Sequence, residues 1–155
     1  LGALKYFLLK VDPKKRMLFD PNESIQLQGH TGPFIQYTHA RIQALLRKPE
    51  SREQKIVETD FKKLTQLEPA ERQVVFLLST FVSRIQEAAR DYSPAVIANY
   101  AFELAKEYNQ FYQSIPIFAE PDEGKLKFRL ALSKLTGTVL KKSMGMLGIQ
   151  VPDKM

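Results

Sequence analysis

Residues 29–48, GHTGPFIQYTHARIQALLRK, contain the signals that start an amphipathic helix and define its faces. Thr31 is suited to cap the helix with its side-chain oxygen, and Pro33 suits the first helical turn, where a missing N–H is not needed. A first row then recurs at i, i+3, i+7 and i+10, the spacing of one helix face: Ile35, Thr38, Ile42 and Leu45. The stretch therefore predicts a helix from about residue 33 to residue 48 with this face in a core.

A second row runs beside the first and consists of Phe34, Tyr37 and Arg41, at i, i+3 and i+7. Flat rings stack on unpaired bases and a cation holds phosphate, so such a row suits single-stranded nucleic acid. The alternative is that the two rings widen the core face and Arg41 is a solvated charge, because aromatic residues on helices are more often part of a core. The residues alone leave both interpretations open.

The rest of the chain predicts further helices and no strands. Helical spacing and start signals are found at these places: a short helix within residues 1–27, residues 33–48, a helix opened by Glu68-Pro69, residues 93–113, and residues 125–147. We expect a break near Ser79-Thr80, a charged loop with some helix over residues 48–67, and Gly148 as a C-terminal cap. The predicted fold is all-α, a bundle of about five helices.

Composition narrows the classes of function. With 155 residues the chain can form one domain with a substantial core. Its 23 Lys and Arg against 17 Asp and Glu leave a net charge of +6, which favours a polyanionic partner, either nucleic acid or an acidic membrane surface. The lack of cysteine excludes disulfides and thiolate metal sites. No apolar run is long enough to cross a bilayer, and the start at Leu1 rather than Met predicts a piece of a longer protein.

Catalytic patterns are missing from the sequence. Its two histidines are His30 and His39, and His39 has no histidine or carboxylate one turn later, so the zinc motif H-E-x-x-H is absent. Neither a glycine-rich phosphate loop nor a G-x-S-x-G elbow occurs. These absences favour a binding module over an enzyme active site.

Residues 29–42, GHTGPFIQYTHARI, resemble the start of the C-terminal, DALR-type anticodon-binding domain of arginyl-tRNA synthetases, whose pattern is roughly G-N-T-G-P-Y-x-Q-Y-x-x-A-R-I. Residues 2–10, GALKYFLLK, resemble the end of that family's catalytic core. Residues 129–155, with RLAL, VLKKSMGMLGI and VPDKM, resemble the family's C-terminus. The likeness spans essentially the whole chain, although His30 replaces the usual Asn and Phe34 the usual Tyr.

This resemblance implies two domains: residues 1–28 as the tail of the catalytic core and connecting segment, and residues 29–155 as the helical anticodon-binding domain. The whole enzyme would be a cytoplasmic class I ligase that attaches arginine to tRNA-Arg with ATP. The catalytic signatures, H-I-G-H-like and K-M-S-K-S-like, are absent here. We therefore expect a fragment that binds tRNA but does not aminoacylate it and needs no cofactor, with ATP and Mg bound in the missing catalytic domain.

The resemblance also implies the partners: the tRNA-Arg anticodon loop and the enzyme's own catalytic domain, with neither DNA nor a membrane. The implied tRNA-binding residues are Phe34, Gln36, Tyr37, Arg41, Asn109, Tyr112 and Met155. Tyr108 and Phe111 are expected in the core, and Arg129 either among the basic residues of the last helix or as a structural anchor. Two alternatives remain, namely the related domain of another class I synthetase such as the cysteinyl enzyme, and a helical protein-interaction scaffold.

Overall fold

Helices form all the regular secondary structure of residues 1–54 and 66–155, which are the residues that the computed structural model describes. The elements in chain order are α1 (Gly2–Leu9), α2 (Pro21–Ser24), α3 (Gly32–Arg47), α4 (Pro49–Arg52), α5 (Pro69–Ser79), α6 (Phe81–Arg90), α7 (Pro94–Ser114), a 3-10 helix (Ile117–Ala119) and α8 (Glu123–Met146). The predicted all-α class is confirmed.

The predicted number of helices was too low, because the described residues contain eight α-helices rather than five. Two of the additional helices, α2 and α4, are single turns that begin at a proline and are too short to show a period in the sequence. The third arises at Thr80, where the expected break separates α5 from α6. Of the charged segment expected over residues 48–67, residues 55–65 lie outside the described residues.

Local capping determines where the long helices begin and end. The Thr31 hydroxyl oxygen accepts a hydrogen bond from the Phe34 N–H at 3.2 Å and so starts α3. After α8, Gly148 adopts a φ of +67°, a left-handed conformation that favours glycine. The N–H of Ile149 then donates to the Met144 carbonyl at 2.9 Å, which satisfies a free carbonyl of the last turn and confirms the predicted cap.

The core forms around α7, which packs against α1, α3, α5, α6 and α8. Tyr108 and Phe111 are fully buried there, as predicted. The first helix belongs to the same core, because Tyr6 is fully buried and its hydroxyl donates to the Ala98 carbonyl of α7 at 2.9 Å. Gly32 lets the start of α3 lie close to α1, since a Cβ at that position would be 2.9 Å from the Tyr6 Cβ.

A buried ion-pair cluster joins α8 to α5 and to the loop before α8. Arg129 is only 4% exposed, and its guanidinium lies 2.6 Å from a carboxylate oxygen of Glu71 and 2.6 Å from one of Glu120. Desolvation offsets much of the attraction in such clusters, so their main effect is to impose one geometry. Arg129 is therefore a structural anchor rather than a surface cation.

His30 occupies an aromatic site between α1 and α7, just before α3. Its ring stacks on Phe102 with 4.1 Å between the ring centres and lies 5.8 Å from the ring of Tyr6. Its Nε2 is buried without a hydrogen-bond partner. Burial, followed by the charge of Lys10, lowers the pKa of His30 below its ordinary value, and the charges of Glu103 and Glu23 oppose this only in part.

Breaking the buried cluster is expected to destabilise the fold strongly. Arg129→Met should lower the free energy of unfolding by about 3–5 kcal/mol, because the buried Glu71 and the partly buried Glu120 would lose their counter-charge. Arg84→Met is the matched control, since Arg84 pairs with Glu87 on the surface and its loss should change stability by about 0–1 kcal/mol. Urea unfolding of both variants measures the difference, and equal losses would contradict the structural role of Arg129.

His30 is expected to make stability depend on pH. A lowered pKa means that the folded chain favours the neutral ring, so unfolding takes up a proton below the unfolded pKa of about 6.5. The free energy of unfolding should therefore fall as the pH is lowered from about 7 through this range. His30→Asn should remove this contribution. Urea unfolding over the pH series would contradict the expectation if both proteins gave parallel profiles.

Candidate nucleic-acid interface

One arginine of α3 contacts an aromatic ring of its own helix and an aromatic ring of α7. The guanidinium carbon of Arg41 is 4.8 Å from the centre of the Tyr37 ring and 5.3 Å from the centre of the Tyr112 ring. Tyr37 is 39% exposed, whereas Arg41 and Tyr112 are half-buried. The two rings thus stabilise the charge through cation–π contacts, and Tyr37 stays partly exposed to solvent. We call Tyr37, Arg41 and Tyr112 the ring–cation cleft.

Asn109 of α7 determines how Arg41 is oriented. Its side-chain oxygen accepts a hydrogen bond from the Arg41 guanidinium, while its nitrogen donates to the Thr38 hydroxyl at 2.7 Å and to the Ala105 carbonyl at 2.9 Å. Asn109 is only 8% exposed, and its amide is occupied by these three groups. In this arrangement Asn109 positions Arg41, and a direct contact between Asn109 and a ligand stays a prediction.

Two rings, one in the cleft and one beside it, pack against the core. Phe34 lies one turn before Tyr37 on α3, is half-buried, and packs against Phe102 with 5.6 Å between the ring centres. Tyr112 lies over Tyr108, with 6.3 Å between the ring centres. Burial raises the pKa of Tyr108, whose hydroxyl donates to Ser133 at 3.0 Å. The cleft therefore rests on buried and partly buried rings of the core.

A different side of α3 holds the C-terminal residues. Three side chains bind backbone carbonyls: the Gln36 amide donates to Gln150 at 2.7 Å, His39 Nδ1 lies 3.0 Å from the Pro152 oxygen, and Arg47 donates to Asp153 at 2.9 Å. Ile149 and Val151 are buried next to these contacts. We call residues 149–155 the C-terminal tail. Met155 ends it, is 63% exposed, and lies two residues beyond the carbonyl held by Arg47.

The structure brings together four of the seven predicted site residues: Tyr37, Arg41, Asn109 and Tyr112. Phe34 adjoins them on α3, whereas Gln36 and Met155 belong to the tail side of that helix. Sequence reasoning missed His39 and Arg47 as residues that hold the tail. The only signal for these two residues was that they are polar side chains on α3. Their partners could not be read from the sequence, because the carbonyls that they contact lie 113 and 106 residues away in the chain.

The basic residues of α8 divide into two groups. Arg129 is buried and Lys127 pairs with Glu123 at 2.8 Å, whereas Lys134, Lys141 and Lys142 are exposed. The exposed group adds positive potential to the surface of a chain whose net charge is +6.

Across residues 1–54 and 66–155, no group of three or more His, Asp or Glu side chains is arranged to hold a metal ion. Among the helices of that same part of the chain, none combines the length and apolar character that crossing a membrane requires.

Solved structures show the same arrangement of helices. The Thermus thermophilus arginyl-tRNA synthetase matches 99% of this chain with 26% of its own length, at a TM-score of 0.86 and 31% identity. The arginyl-tRNA synthetase from Plasmodium falciparum matches 99% of this chain at a TM-score of 0.84, and its 23% identity supports the fold alone.

Sequence comparisons agree with this fold. The chain is 50% identical over its full length to the arginine–tRNA ligase of Phocaeicola vulgatus and 47% identical to that of Flavobacterium psychrophilum. It spans about 25% of the length of these two curated relatives. A family model described as the DALR anticodon binding domain matches residues 35–155. With this match over most of its length, the chain belongs to the DALR anticodon binding domain family.

Proposed function

We propose that this chain recognises the anticodon loop of tRNA-Arg as part of an arginine–tRNA ligase. The observation that carries the proposal is the ring–cation cleft, in which Arg41 contacts the rings of both Tyr37 and Tyr112 on a DALR-family fold. The choice of arginine as the amino acid and tRNA-Arg as the partner is supported by relatives named arginine–tRNA ligase, which are similar to this chain over its full length.

The cleft has the chemistry that an unpaired loop requires. The bases of an anticodon loop can leave the stack and lie on aromatic side chains, while arginine binds phosphate or a base edge. The exposed ring of Tyr37 offers such a stacking face. Asn109 already holds the Arg41 guanidinium in place, so less side-chain freedom is lost when the RNA binds.

We assign the predicted site residues to two roles within this proposal. Phe34, Tyr37, Arg41, Tyr112 and Met155 contact the RNA directly. Asn109 and Gln36 act mainly by holding Arg41 and the C-terminal tail, as their hydrogen bonds to protein groups indicate.

We also propose the arrangement of the whole enzyme. ATP and Mg²⁺ are bound by a separate catalytic domain, which activates arginine, and residues 1–28 form the end of that domain and its connection to residues 29–155. The packing of α1 against α3 and α7 supports a firm junction. The enzyme then works in the cytoplasm, with tRNA-Arg and its own catalytic domain as partners and with neither DNA nor a membrane.

Removing the exposed ring of the cleft should weaken tRNA binding. Tyr37→Ala is expected to reduce the affinity for tRNA-Arg by about 1–3 kcal/mol, the contribution of one base–aromatic stack. Tyr92→Ala is the control, because Tyr92 is an 89% exposed tyrosine in the turn after α6. Fluorescence anisotropy measures binding of tRNA-Arg and tRNA-Cys to each folded variant. Preference for tRNA-Cys would favour the cysteinyl alternative, and binding of neither tRNA would contradict the proposal.

Met155, at the end of the tail, should contribute less to the affinity for tRNA-Arg than Tyr37 does. Met155→Gln keeps the chain length and the terminal carboxylate but removes an apolar contact, so we expect an affinity loss of about 1 kcal/mol, less than full burial of a methionine yields. Met146→Gln is the matched control, because Met146 is an exposed methionine at the end of α8. Titration with tRNA-Arg measures both variants, and equal affinities for the two would remove Met155 from the proposed contacts.

A further inference from the structure

An apolar cavity of about 360 Å³ adjoins the ring–cation cleft. Its walls are Leu45 of α3, Tyr112 of α7 and residues 115–119, which connect α7 to α8 and include the 3-10 helix. Apart from the Tyr112 hydroxyl, every side chain in these walls is apolar. The volume lies within the range of about 300–1,000 Å³ that is usual for small-molecule sites in proteins.

A second pairing of a ring and a cation lies at this cavity. Phe118 is one of the cavity walls, and the Lys48 ammonium is 4.9 Å from the centre of its ring. Lys48 is exposed and follows α3 directly. It comes seven residues after Arg41, which corresponds to about 10 Å along a helix axis. The chemistry of the cleft, a flat ring beside a positive charge, therefore recurs further along α3.

The cleft and the cavity are neighbours, because Tyr112 contacts Arg41 in the cleft and also lines the cavity. Apolar walls accept a flat base but do not offset the charge of a phosphate, which must stay in water or meet a cation. Lys48 supplies that cation outside the cavity.

We propose that this cavity is a second base pocket: it takes the base of an unpaired nucleotide next to the one on Tyr37, with Phe118 as stacking surface and Lys48 at the phosphate. This inference rests on the proposed function and deepens it. Since the Tyr112 hydroxyl is the one polar side-chain group in the walls, the pocket detects that a base is present and discriminates weakly among bases.

The test combines abasic RNA with variants of Phe118. tRNA-Arg is made with one abasic nucleotide at each loop position in turn and titrated against the chain and against Phe118→Ala. One position should exist where losing the base weakens binding by the unaltered chain about fivefold to a hundredfold, the range of one stack. Phe118→Ala should bind intact tRNA-Arg more weakly by a similar factor and lose nothing further at that position. Exchanging that base for another should change affinity less than twofold.

Three further variants sharpen the result. Phe118→Leu keeps an apolar side chain without a flat ring, and it should lose affinity as Phe118→Ala does. Phe76→Ala, which removes a 58% exposed ring on α5, should bind like the unaltered chain. Lys48→Gln should flatten the dependence of log affinity on log salt concentration by roughly 0.7, the value for one phosphate contact on a single strand.

The inference and the proposed function can fail separately. Unchanged tRNA affinity in Phe118→Leu would overturn the second pocket. The pocket would also be overturned if, at every abasic position, the loss from Phe118→Ala and the loss from the missing base were independent, so that the combined loss equals their product. A loss in Tyr37→Ala would still support the cleft in that case. If Phe118→Ala fails to fold by circular dichroism, Phe118→Leu decides. If the unaltered chain binds no tRNA-Arg, both proposals fall.

Discussion

The hydrogen bonds of one buried carboxamide join the two helices on which the candidate site depends. Asn109 of α7 donates to Thr38 of α3 and accepts from Arg41 of the same helix, so the packing of α3 on α7 and the direction of the guanidinium are set together. A buried amide that lost these partners would be costly, which makes alternative orientations of α3 unfavourable. The rings of Tyr37 and Tyr112 then both contact the cation.

Helix α3 carries side chains of both the ring–cation cleft and the contacts to the C-terminal tail, and a glycine lets α8 pack closely against it. Gly137 of α8 faces Ile42, where a Cβ would lie 3.0 Å from the Ile42 side chain, so α8 packs closely on α3. On one side α3 presents the ring–cation cleft, and on another it holds the C-terminal tail by side chains that include His39. Because one helix positions both surfaces, a shift of α3 would displace cleft and tail together.

Much of the fold was predictable because its signals are local. The cap at Thr31 and the glycine stop at Gly148 depend on residues within a few positions of each other, and both were correctly predicted. The low helix count had a local cause as well, since a single turn such as α4 shows no repeat. Arg129 was harder to assign, because its partners Glu71 and Glu120 come from two separate parts of the chain.

The amino-acid sequence by itself determined the all-α class, the rows of α3 and the rings and charges available for binding. The tertiary structure alone decided which of these groups meet. It buried Asn109 and paired it with Arg41, and it turned Gln36 toward the tail. It also placed Phe118, which Lys48 contacts, in the same cavity wall as Tyr112. The physical reason for this division is the separation along the chain over which each interaction acts. Helix periodicity and capping act over a few residues, whereas a cleft forms where side chains distant in the chain pack against one another.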